Sequence, residues 1–238
     1  MCSGEDPAIH RHRIGTPPGP LLAELPAAES RRPTLAWTDA GAADEIGSHS
    51  AIGYSSLSVR TFIGLGGNLG EPAVVFRTAV AELRGVGQVV KVSSLYDSAP
   101  RDAFDQPHFL NAALELETDL SPVDLLLELK RLELALGRDP HGRRWGPRVL
   151  DLDILSFDGL CVTDPEHDLI VPHPRFHERR FALEPVAELD PLLLPWRNCS
   201  DLRVDVSVAD LLPTVANQEV MRVGGPDWAD PVSPSGLS

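Results

Sequence analysis

The stretch HFLNAALELETDLSPVDLLLELKRLELALG, His108–Gly137, changes its period halfway along. Up to Thr118, Leu110, Ala112, Leu114 and Leu116 recur at every second position, the repeat of a strand with one buried face. From Ser121 the repeat becomes helical. Ser121 stands at the cap with Asp124 at the capping-box position, Pro122 opens the first turn and Gly137 closes the last. A strand feeding a capped helix is half of a split βαβ arrangement, and its neighbours supply the rest. Upstream, VRTFIGLGGNLG (Val59–Gly70) is a short apolar strand entering a glycine loop. PAVVFRTAVAELRGVG (Pro72–Gly87) reads as a helix, and QVVKVSSLYDSAP (Gln88–Pro100) as a β-branched strand. Downstream, Leu150–Phe157 is another strand. The order β-α-β-β-α-β predicts an α/β (α+β) domain, ferredoxin-like, with both helices on one face of an antiparallel sheet. Shorter helices are expected at RFALEPVAEL (Arg180–Leu189) and VSVADLLP (Val206–Pro213).

This pattern occupies residues 59–213. Residues 1–58 are rich in Pro, Gly, Ala, Ser and charge without a sustained period, and read as a disordered extension. Residues 214–238 are expected to fray. The formal charge of -14 over 238 residues argues against a general nucleic-acid binder, which needs a basic face. An RNA-binding module on the same fold would also need paired aromatics in a central strand, and neither FIGLGGN nor VVKVSSL has them. No apolar run approaches the ~20 residues of a membrane span, and MCSGEDPAIHRHRIG has no signal-peptide core. Cys2, Cys161 and Cys199 lack metal-ligand spacing and read as free thiols in a reducing compartment, so a cytoplasmic location is expected.

Within this acidic chain one loop is strongly basic. GRDPHGRRWGPR (Gly137–Arg148) holds Arg138, Arg143, Arg144 and Arg148 around Trp145, and guanidinium groups match phosphate oxygens. Directly after it, Asp151 and Asp153 alternate with Leu150, Leu152 and Ile154, so a strand would place both carboxylates on one face. A solvated acidic face would have the same alternation. The neighbouring arginines favour a site for Mg²⁺ and a polyphosphate, because Mg²⁺ is held by one or two carboxylates completed by substrate phosphates and water. GLGGNLG (Gly64–Gly70) fits neither G-x-G-x-x-G, since Leu69 stands where glycine should be, nor a Walker loop. Phe109 and Phe181 suit a flat heterocycle, with the Asn111 amide on the same strand face as Phe109.

GLGGNLG, DQPHFLNAALELET, RLELALGR, RWGPRVLDLDIL and VPHPRFHERRF, in this order, resemble the 6-hydroxymethyl-7,8-dihydropterin pyrophosphokinase family over Thr61–Trp196. The resemblance implies Mg²⁺-dependent transfer of pyrophosphate from ATP to the pterin hydroxymethyl group, with release of AMP, in folate biosynthesis. It implies that Asp151 and Asp153 bind two Mg²⁺ ions and that Arg138 and Arg148 act with them in catalysis. Glu133, Arg138, Arg144, Trp145, Arg148, His173 and Arg179 would lie on the nucleotide side, and Gly66, Asn68, Ser98, Phe109, Asn111 and Phe181 on the pterin side. The partners implied are these small molecules, with no nucleic acid or membrane, for a monomeric enzyme. This sequence departs from the family's usual residues at Gly67, where serine is common, at Pro140, where arginine is common, and at Ser98-Ala99, for Thr-Pro.

Overall fold

The computed structural model describes residues 58–101, 105–143, 146–200, 203 and 205–230; the expected N-terminal extension, Arg144 and Trp145 lie outside them. In chain order the elements are β1 (Val59–Gly67), α1 (Pro72–Leu83), β2 (Gln88–Val92), β3 (Leu95–Ser98), β4 (Phe109–Thr118), α2 (Pro122–Ala135) and β5 (Asp151–Phe157). There follow β6 (Val162–Asp164), β7 (Leu169–Val171), α3 (Arg180–Leu189), α4 (Val208–Leu211) and β8 (Val220–Gly224). The main sheet is antiparallel, in the order β5-β1-β4-β3-β8, with β2 also pairing with β4. The α-β-β-α order read from the sequence therefore folds as the ferredoxin-like arrangement expected of it.

Strand alternation divides the core in two. On one face Ile63 and Leu65 of β1, Leu114 and Leu116 of β4, and Leu152 and Ile154 of β5 meet Phe76, Val80 and Leu83 of α1 and Leu125, Leu129 and Leu132 of α2. Each helix thus presents an i, i+4, i+7 stripe. Burying each such side chain contributes about 1.5–3 kcal/mol. The start of α2 is fixed as the sequence predicts, with the Ser121 side chain accepting from the Asp124 amide at 3.1 Å. On the opposite face Phe62, Ala113 and Leu155 pack against Leu183, Val186 and Leu189 of α3 and Val208 and Leu211 of α4. That second helical layer is built from the two short helices downstream of the β-α-β-β-α-β core.

Three expectations are corrected. The single strand expected at Gln88–Pro100 is interrupted at Ser93 and Ser94, both fully buried. Ser93 Oγ accepts from the Ala113 amide at 2.9 Å, and Ser94 donates through its N and Oγ to Glu188 on α3, at 2.9 and 2.8 Å. The buried hydroxyls are satisfied by the bend they cause. The segment expected to fray from residue 214 instead folds back through β8, which pairs with β3. Beyond it the buried Trp228 packs edge-on to Phe76, with ring centroids 6.1 Å apart, and donates from Nε1 to the Ser93 carbonyl at 2.8 Å. Finally, Cys161 and Cys199 are joined in a disulfide across a Cα–Cα distance of 5.5 Å, so these two are not free thiols. Their separation of 38 residues carries no pairing signal, because only the fold brings the turn after β5 beside the segment after α3. Among the described residues, no helix is long and apolar enough to cross a membrane.

Candidate active site

The register of the three central strands sets Gly66 opposite both Asp151 and Asn111, and Gly64 opposite both Asp153 and Ala113. These positions share the sheet face that carries α3, and the face opens here into a cleft. A Cβ added to Gly66 would stand 3.8 Å from Asn111 Oδ1 and 3.9 Å from Asp151 Cβ, which are ordinary contacts. Glycine at 66 is therefore not demanded by packing; it leaves a bare floor between Asn111 and Asp151. Gly67 is different, since a Cβ there would lie 2.5 Å from the Val149 carbonyl oxygen. The departure from the family's usual serine is built into a close approach between β1 and the loop before β5.

The two aspartates sit in unlike electrostatic surroundings. Arg138 Nη1 donates to Asp151 Oδ1 at 2.6 Å and Arg148 Nη1 to Asp151 Oδ2 at 2.7 Å. Burial pushes the Asp151 carboxyl up, but Arg148 and then Arg138 outweigh it and hold the group below the usual carboxylate range. Asp153 has no such clamp. Burial, and then the charge of Asp151, push it up to about 6, with Lys130 and Arg179 opposing. Among the described residues no cluster of three or more His, Cys, Asp or Glu side chains forms a metal cage. A pair of carboxylates on one open face, one of them uncompensated, fits a hard cation that takes its remaining ligands from substrate and water.

The arginine clamp is itself positioned from behind. Glu133, fully buried on α2, accepts from the Leu152 amide at 2.6 Å, from Arg138 Nη1 at 2.6 Å and from Lys130 Nζ at 3.0 and 3.1 Å. It lies under the site and joins the helix, the arginine and β5. Asn68 does the same from the residue after β1. Its Oδ1 accepts from the Arg148 amide at 2.8 Å, its own amide donates to the Arg148 carbonyl at 2.9 Å, and its Nδ2 donates to Gln106 Oε1 and the Pro107 carbonyl. Asn68 is spent on clasping two loops and does not line the cleft.

Ser98, Phe109, Asn111 and Phe181 line one cleft together with Gly66, Asp151, Asp153, Arg148 and Arg179. Asn111 Nδ2 donates to Ser98 Oγ at 2.9 Å and more weakly to the Tyr96 and Phe109 carbonyls, so the amide's donor side is consumed and its Oδ1 remains toward Gly66. A second cavity adjoins the first, walled by Arg138, Pro140, Gly142, Arg143, Gly146 and Arg148. Arg148 faces both. Arg143 stands on the same cavity as Pro140 and keeps a guanidinium there. His173 touches neither cavity; its Nδ1 accepts from the Arg175 amide at 3.2 Å and its Nε2 lies 3.5 Å from Arg179 Nη1. Burial, and then Arg179, lower it to about 4, so it is a neutral support for that arginine at pH 7. Burial also lowers Arg179, against the pull of Asp153, and its guanidinium carbon lies 5.6 Å from the Phe181 ring centroid. Arg101, Gln106 and Arg175 also line the first cleft. Sequence reasoning passed over all three, which sit in loops without periodicity.

Comparison with known proteins covers the same part of the chain. Residues 62–191 match the family model described as 7,8-dihydro-6-hydroxymethylpterin-pyrophosphokinase. The chain is 45% identical over 130 residues to the 2-amino-4-hydroxy-6-hydroxymethyldihydropteridine pyrophosphokinase of Bacillus subtilis, covering 54% of this chain and 76% of the relative. It is 42% identical over 137 residues to the protein of that name from Methylorubrum extorquens, covering 57% and 85%. Among solved structures, Plasmodium falciparum HPPK-DHPS with pteroate aligns with a TM-score of 0.53 at 12% identity, a likeness of fold that covers 67% of this chain and 45% of that one. The family match takes in the central strands, both core helices and the walls of both cavities, and the chain belongs to the 7,8-dihydro-6-hydroxymethylpterin-pyrophosphokinase family.

Proposed function

We propose that this enzyme carries out the pyrophosphokinase reaction of folate biosynthesis, from ATP to 6-hydroxymethyl-7,8-dihydropterin, with the pterin in the cleft of Phe109, Asn111 and Phe181 and the nucleotide phosphates in the cavity of Arg138 and Arg143. The observation that carries this assignment is that Arg148 borders both cavities, with Asp151 and Asp153 beside it in the lining of the first. The hydroxymethyl oxygen attacks the β-phosphorus, the bond from that phosphorus to the α,β-bridging oxygen breaks, the hydroxyl proton is released and AMP departs. Asp151 and Asp153 would hold two Mg²⁺ ions, which supply charge neutralisation at the oxygens where negative charge develops. Arg148 is placed to follow the transferred group from one cavity to the other. Arg138 holds the phosphates on the nucleotide side, and Arg179, steadied by neutral His173, supplies a cation on the pterin side. Asn111 Oδ1 offers an acceptor to a ring N–H, with the two phenylalanines about the ring. We assign the reaction to a monomer in the cytoplasm, where ATP is available.

The test is a product assay with Mg²⁺, ATP and the hydroxymethyl dihydropterin. AMP formed only when all three are present is the expected result. ADP would mean ordinary phosphoryl transfer, and neither product from folded protein would mean a relative that has lost catalysis. A second test uses the bare floor. Gly66→Val adds a β-branched side chain to a strand position with only ordinary contacts, so its melting temperature should stay within a few degrees of the parent. The added bulk projects into the cleft, and pterin affinity measured by calorimetry should fall by more than about a hundredfold. Unchanged affinity in that variant would place the pterin elsewhere.

A further inference from the structure

We infer that Arg101 is a positioning residue for the pterin, a strap across the mouth of its cleft; this rests on the assignment of that cleft to the pterin. Ala99, Pro100 and Arg101, directly after β3, form one wall. Arg175, Arg179 and Phe181 line the cleft as well, on either side of the turn Phe176–Glu178. Arg101 Nη1 donates to the Glu178 carbonyl at 2.7 Å, joining the segment after β3 to the turn that leads into Arg179 and Phe181.

The hydrogen-bond pattern separates this link from the stability of the fold. The same Glu178 carbonyl accepts from Gln218 Nε2 at 2.8 Å, so the turn is anchored without Arg101. Gln218 in turn accepts the Arg180 amide through Oε1 at 3.0 Å and a guanidinium N–H of Arg180 through its carbonyl at 3.0 Å. What Arg101 adds is the tie from the turn to the segment directly after Ser98, the last residue of β3 and the hydroxyl that fixes Asn111. Ala99–Arg101, held before the ligand arrives, need not be ordered by binding, and the affinity gained appears on the pterin side alone. Arg101 also brings its charge to a cleft shared with Arg148, Arg175 and Arg179, consistent with a ligand that leaves as a diphosphate ester.

The test compares Arg101→Met and Arg101→Lys with the parent enzyme in steady-state assays varying each substrate, beside thermal melts. Arg101→Met is expected to raise the KM for pterin about tenfold, roughly the effect of releasing one or two ordered side chains, with kcat and the KM for ATP within about twofold. Its melting temperature should stay within about a degree, because Gln218 still holds the turn. Arg101→Lys keeps charge and a donor and should recover part of the pterin affinity. An unaltered pterin KM in Arg101→Met overturns the inference. A loss spread over both substrates together with a lowered melting temperature overturns it too, since that would mark a purely structural role. Absence of AMP from the parent enzyme in the same assay would instead overturn the assignment of the cleft.

Discussion

Asp153→Asn is expected to lower turnover by about a thousandfold or more and, at the same time, to raise the melting temperature. The two effects have one cause. Asp153 is a carboxylate without an ion-pair partner among the described residues, set beside Asp151 on the same strand face, and its folded pKa is pushed from 3.8 up to about 6. A raised carboxyl pKa means that the folded state prefers the protonated form. That preference stabilises the fold fully below about pH 3.8 and is lost as the pH rises through about 6. At pH 8 the parent protein therefore carries a charge its fold disfavours, by about 3 kcal/mol at most. Asparagine removes the charge and keeps the shape. Thermal melts at pH 8 should place the variant a few degrees above the parent, and the gap should narrow as the pH is taken from 6 toward 4. Added Mg²⁺ and a nonhydrolysable nucleotide should stabilise the parent and not the variant. A variant that melts below the parent at pH 8, or that still turns over normally, would remove Asp153 from the cation site.

The same pair shows how far the sequence could be read. Alternation alone put Asp151 and Asp153 on one face, because side-chain direction in a strand is a local property. Their difference was not local. It is set by Arg138, which arrives from the end of α2, and by Arg148, whose backbone is clasped by Asn68 just after β1. Asn68 and Glu133 were legible as members of the site's vicinity through the family resemblance. Their hydrogen bonds, however, go to backbone amides and to the arginines, and only the packed structure shows where those lie. The helices were legible from caps and apolar stripes, Ser121 and Asp124 most clearly. The bend at Ser93 and Ser94 was not, since two small polar residues in a β-branched run are neutral until Glu188 comes within reach. β8 was missed for a related reason: VMRVG is five residues long, and its strand state depends on pairing with β3. Gly66 and Gly67 looked alike in GLGGNLG. A Cβ at one would meet only ordinary contacts and at the other a carbonyl oxygen, a distinction that belongs to tertiary structure.

Glu133→Gln should separate support from contact on the nucleotide side. The resemblance gives Glu133 to the nucleotide, yet its carboxylate is buried and already occupied by Leu152, Arg138 and Lys130. Glutamine can still accept the Leu152 amide, but it brings an NH₂ group and no charge to two cations. Removing one member of a buried ion pair typically costs about 3–5 kcal/mol. Here Lys130 and Arg138 are 43% and 28% exposed and can regain water, so a loss of about 2 kcal/mol is expected. In a domain of this size that is a drop of roughly 4–8 °C in melting temperature. Arg138 keeps Asp151 but loses the carboxylate behind it, and with that its fixed direction. The KM for ATP should rise and kcat fall, each by about tenfold, while the KM for pterin stays put, because none of Ser98, Phe109, Asn111 and Phe181 bonds to Glu133. Lowered stability with this ATP-selective loss would identify a buried support acting through Arg138. An equally large loss of ATP affinity with an unchanged melting temperature would mean that the carboxylate turns to meet the nucleotide directly, and the hydrogen bond to Leu152 would then be a feature of the ligand-free state alone.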